Sequence, residues 1–147
     1  MANHCRLASG AAQAACNAIV DLIDAGTGAG TFVIYTGAEP DYANDAAGTE
    51  VATCTFGDPA YAAAVADGTN HWADANFTGG TAITDSSATG NASAVTYFRL
   101  LDSDSGVVLQ GTVGTSGADL NLNSTTIGAG ASVSITALEV RVPYNQA

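Results

Sequence analysis

The chain predicts a mainly β fold: an antiparallel β-sandwich or flattened barrel of about seven or eight strands with one N-terminal α-helix. Three observations predict it. Apolar residues recur at helical spacing only near the N-terminus. From residue 31 onward the pattern shifts to period two, in runs rich in β-branched and aromatic residues. Seventeen glycines, together with many Ser, Thr, Asn and Asp residues, punctuate the chain with tight turns.

The helix is expected over residues 9–25, where Leu7 or Ala11, Ala14, Ala15, Ala18, Ile19, Leu22 and Ile23 form an apolar stripe. Ser9 is placed to cap its start, and Gly26 to end it in a left-handed conformation. The stripe is narrow and alanine-rich, which allows close approach to a sheet or another helix. Asp21 and Asp24 would occupy the last turn, where the helix dipole disfavours acids, so packing from outside must hold that end.

The first strand is Thr31-Phe32-Val33-Ile34-Tyr35-Thr36. Residues 37–50 carry Pro40 and several acids without periodicity, and read as an exposed loop. Further strands are expected over 51–56, 71–77, 81–84, 92–101, 107–113, 120–122 and 132–142. Of these, 92–101 and 107–113 flank Asp102-Ser103-Asp104-Ser105-Gly106, a hairpin turn composition, and should pair antiparallel. Tyr97 and Phe98 lie on a central strand, which places at least one of them in the core. With 147 residues and no linker, the chain reads as a single structural domain: an N-terminal arm (1–8), the helix (9–25) and a β-rich body (31–142).

Charge narrows the functional classes. Fourteen acids oppose Arg6, Arg99 and Arg141, there is no lysine, and the formal charge is −11. Three scattered arginines cannot build the basic stripe that nucleic acid requires, and an anionic membrane surface would repel the chain. An acidic surface suits a protein that stays soluble at high copy number. Cys5, Cys16 and Cys54 are odd in number and form no C-x-x-C pair, so neither a disulfide framework nor a zinc knuckle is encoded. The N-terminus lacks a signal-peptide pattern, so synthesis in the cytoplasm is expected, and the sequons at Asn76, Asn91 and Asn123 are set aside.

Candidate chemistry is sparse. Asp102, Asp104 and Gly106 match the opening of a calcium loop, but the bidentate glutamate is missing and a hairpin turn accounts for them. Gly26-x-Gly28-x-Gly30 follows a helix and precedes a strand, the reverse of a dinucleotide fingerprint. His71 and Asp74 flank Trp72, yet no Gly-x-Ser-x-Gly elbow accompanies them. No catalytic residue, cofactor site or metal site is therefore assigned, and the chain is read as a non-enzyme. Large amphipathic rings and exposed polar groups supply the candidate partner contacts: His4 and Arg6 in the arm, Tyr42 in the loop, Trp72, and Tyr144 near the end.

Several stretches together resemble a family of small tailed-bacteriophage virion proteins. They are Leu7-Ala8-Ser9-Gly10-Ala11-Ala12-Gln13-Ala14-Ala15-Cys16-Asn17-Ala18-Ile19-Val20-Asp21-Leu22-Ile23-Asp24 leading into Ile34-Tyr35-Thr36-Gly37, then Tyr97-Phe98-Arg99-Leu100 through Asp104 and Gly106 to Gln110-Gly111-Thr112-Val113-Gly114, with Asp58-Pro59-Ala60-Tyr61 as weaker support. The resemblance implies a capsid decoration or cement role on the virion exterior. The implied partner is the phage major capsid protein, with self-association into a small oligomer such as a trimer. A tail or neck component, or a surface receptor- or glycan-binding module, is the alternative. No residue of this chain maps onto a defined capsid-contacting motif.

Overall fold

The computed structural model describes residues 6–41, 47–68, 71–76, 82–91 and 93–144. Among these residues one helix, α1 (Ser9–Asp21), precedes ten strands: β1 (Thr31–Thr36), β2 (Thr49–Thr55), β3 (Val65–Asp67), β4 (Trp72–Ala75), β5 (Ile83–Asp85), β6 (Val95–Leu101), β7 (Val107–Gly114), β8 (Leu120–Asn121), β9 (Val133–Ile135) and β10 (Val140–Pro143). They form a five-stranded sheet in the order β2-β1-β6-β7-β8, a three-stranded sheet β10-β4-β3, and the pair β5-β9. The fold is mainly β with one N-terminal helix, consistent with the sandwich or flattened barrel read from the sequence.

The large sheet is built around β1, whose pairing with β6 sets Phe32 against Leu100 and Ile34 against Phe98. These inward residues join Ala52 and Cys54 of β2 and the buried side of α1 in one apolar cluster. Phe32 and Phe98 stack with centroids 5.3 Å apart. Alternation sends Val33, Tyr35 and Tyr97 to the opposite face, where they form a second small cluster with Leu101. Tyr97 and Phe98 are thus both buried, one on each side of the sheet.

The helix packs against β4, β10 and β3. Ala73 and Ala75 give β4 a low surface on which Ala12 and Cys16 lie, so the expected close approach of small side chains is realised. The buried stripe, however, is Ala12, Cys16, Val20 and Ile23; Ala11, Ala14 and Ala18 face solvent, and Leu22 is 55% exposed. Burial of the branched and sulfur-bearing side chains decides the rotation of the helix, because alanine gains little from either face. Ser9 does not cap α1. The N-cap is Ala8, without a side-chain hydrogen bond.

Regular helix also ends earlier than the expected 25. The amides of Ile23 and Ala25 donate to the carbonyls of Val20 and Leu22, three residues back, which tightens the exit into a turn. Gly26 then takes φ +101°, as a left-handed exit requires. The acid at that end is held from outside: the Asp24 carboxylate accepts the Ala60 amide at 2.8 Å.

Three strand expectations are corrected. The run 132–142 is two strands rather than one, since β9 pairs with β5 while β10 pairs with β4, and the chain changes sheet across 136–139. β3 has no expected counterpart; three residues are too few to show alternation. Finally, the ladders are antiparallel except β7-β8, a two-residue parallel contact.

Candidate functional site

Asp102 begins the β6-β7 turn, and its Oδ1 accepts the amides of Asp104 at 2.9 Å and Gly106 at 2.7 Å. That carboxylate therefore replaces a backbone partner inside its own turn, and Ser105 takes φ +68° beside it. Among the described residues no group of three or more His, Cys, Asp or Glu side chains could hold a metal ion.

The glycine loop after α1 is equally committed to the fold. Ser103 Oγ accepts the amides of Thr27 at 3.0 Å and Gly28 at 3.3 Å, and donates to the Ala25 carbonyl at 3.1 Å. Amides that a phosphate would need are satisfied by one serine of the hairpin turn. Gly30 is required by close approach, since a Cβ there would lie 2.5 Å from the carbonyl oxygens of both Ile23 and Leu101.

His71 turns the chain between β3 and β4 at φ +60°, with its amide donating to the Asp67 carbonyl. Its ring meets Tyr144 edge-on at 5.9 Å. Asp74 does not join it: the carboxylate lies 3.3 Å from Arg141 Nε, and Arg141 also pairs with Glu139. The thiols of Cys16 and Cys54 are buried and free, and desolvation pushes Cys54 up to about 11. Thiolate formation, and with it nucleophilic reactivity, is suppressed at both.

Of the candidate partner contacts, Arg6 is exposed ahead of the helix, and His4 and Tyr42 lie outside the described residues. Trp72 is half-buried on the outward side of the three-stranded sheet, level with Asp67 and Pro143. Val65 stands on the same side and is 67% exposed. Tyr144, expected at the surface, is instead inside the fold, with its hydroxyl donating to the Asp67 carbonyl at 2.7 Å. The amphipathic ring is satisfied by covering the β3-β4 turn.

Two features escape the sequence reading. Arg99 is only 4% exposed and lies over the rings of Tyr35 and Tyr97, 5.9 Å from each centroid. Its Nε donates to Gln110 Oε1, and the Gln110 amide donates in turn to the Pro40 carbonyl at 2.8 Å, tying the 37–41 segment to the sheet. The signal was the spacing of Tyr97 and Arg99, two apart on one strand. The second feature is a cleft between β7 and residues 137–141, formed by segments distant in sequence. One lobe, of about 380 Å³, is lined by Ile19, Phe98, Leu100 and Leu109. The other, of about 440 Å³, is lined by Leu120, Asn121 and Ala137, and Asp119, Leu138, Glu139 and Arg141 border both.

No protein family, curated protein or solved structure matches the chain. Among the described residues no helix is long and apolar enough to cross a membrane.

Proposed function

We propose that the chain is a capsid decoration protein, which binds the outer surface of a phage major capsid shell and stabilises the expanded head without catalysis. The observation that carries this reading is the division of labour among side chains. The polar side chains of Asp102, Ser103, Asp24 and Tyr144 are engaged in hydrogen bonds to the backbone, within one turn for Asp102 and between distant segments for the other three. The outward side of the three-stranded sheet, by contrast, leaves Val65 exposed beside Trp72 and Pro143. A protein whose work is adhesion needs contact area of that kind. The resemblance of the 7–24 and 97–114 stretches to small virion proteins supplies the phage setting, and the charge of −11 suits dense display on a particle.

A cement protein acts by bridging neighbouring subunits, so that each junction must lose additional buried area before it opens. The same outward sheet face would serve in self-association into a trimer. Mixing the purified chain with undecorated expanded heads tests the reading. Stoichiometric attachment, with heads that withstand higher temperature, supports it. Copurification with tails, or binding on a glycan array without attachment to heads, overturns it.

A further inference from the structure

The cleft beside β7 has walls of an unusual kind. In a strand, only alternate side chains reach one face. Yet three consecutive residues, Leu109, Gln110 and Gly111, line one wall, and the consecutive run Leu138 to Arg141 lines the other. Each wall therefore presents a length of backbone as well as side chains, with Leu109 on the same sheet face as Leu100 and Phe98. The pairing agrees: among the described residues β7 has β6 along one side, while on the other β8 pairs with Val113 and Gly114 and the Asp119 carboxylate accepts the Thr112 amide, so that residues 107–111 have no strand beside them there. Among the described residues β10 likewise ends its sheet. Open edges of this sort take up another extended chain by hydrogen bonding to its backbone.

The lobes specify the side chains of that occupant. Ile19, Phe98, Leu100 and Leu109 make one end apolar. At the other end Asp119 and Glu139 are acidic, and Arg141 beside them is already paired with Glu139 and Asp74. A second copy of this chain, at −11 and without lysine, is a poor electrostatic match. We infer that the cleft receives an extended segment of the partner protein, laid along the β7 edge, in which a large apolar side chain is accompanied by lysine or arginine. This rests on the reading that the chain docks on a larger protein.

The test uses the full chain and a capped hexapeptide, Lys-Thr-Leu-Thr-Leu-Lys, against the same peptide with both lysines replaced by glutamate. The lysine peptide is expected to shift the backbone amide resonances of residues 109–111 and of Leu138, and to bind about fivefold or more tightly than the glutamate peptide, the scale of an exposed charge pair. Glu139→Lys is expected to reverse that preference. Equal affinity for the two peptides, shifts confined to the Trp72 face, or no shift at millimolar peptide overturns the inference. Glu139→Lys protein that coats expanded heads as well as the unaltered chain also overturns it, and leaves the decoration reading standing. An unaltered chain that binds the lysine peptide but ignores heads does the reverse.

Discussion

Ser103 joins two loops that belong to different elements, accepting from Thr27 and Gly28 and donating to Ala25. Its replacement by alanine leaves those backbone groups to partial solvation, so Ser103→Ala is expected to cost about 1–3 kcal/mol in urea unfolding. Two carboxylates make a pH prediction. Asp85 accepts the amides of Ser87 and Thr53, and Asp119 accepts the amide and hydroxyl of Thr112. These bonds hold both below the ordinary aspartate value. A folded pKa below the unfolded one means that the stabilisation is complete above the unfolded value, about 3.9, and fades as pH falls through the folded value. Stability should therefore decline on acidification below about pH 4, and Asp85→Asn should flatten that decline in pH-dependent unfolding. A slope unchanged by Asp85→Asn contradicts the assignment. The thiols complete this scale: Cys16 and Cys54, buried and raised, should resist alkylation in the native state and react on unfolding, as read by mass spectrometry of their peptides.

Packing of α1 against the sheets depends on glycine at one place and not at another. Gly30→Ala would drive a methyl into two carbonyl oxygens, and should destabilise by about 1–3 kcal/mol. Gly28→Ala, whose nearest neighbour would be Ser103 Cβ at 4.0 Å, should fall within about 0.5 kcal/mol of the parent. Comparable losses for both would show that the loop, not the crossing of Ile23 and Leu101, limits stability. The same physics explains what the sequence made legible. The strand over 31–36 and the 102–106 hairpin are readable because β-branched, aromatic and turn residues each have one strong preference. The helix is readable as an element, but not its face, since alanines at 11, 14, 15 and 18 bury too little area to outweigh Cys16 and Val20. β3 is invisible because three residues carry no period, and the break between β9 and β10 is hidden by apolar residues on both sides of it. Turn residues of the candidate site were legible from local composition. The cleft was not, because Leu109, Asp119 and Leu138 meet only through the strand order.

At the scale of the whole molecule, the charge of −11 acts on every copy at once, with no lysine to offset it. Repulsion within one chain opposes the compact state, and repulsion between chains opposes assembly. Salt should weaken both, because the screening length falls from about 30 Å at 0.01 M to about 3 Å at 1 M. The opposing loss is small: Arg141 pairs with Asp74 and Glu139 at the surface, where an ion pair contributes about 0–1 kcal/mol. The thermal midpoint and the degree of self-association are accordingly both expected to rise between about 0.01 M and 0.5 M sodium chloride, as followed by calorimetry and sedimentation. Attachment to a partner through Asp119 and Glu139 has the opposite sign, since there salt screens attraction rather than repulsion. A midpoint that falls with salt would mean that favourable ion pairs outweigh the excess of acids. Attachment to heads that strengthens with salt would mean that apolar contact, centred on Val65 and Trp72, governs docking in place of the acidic cleft.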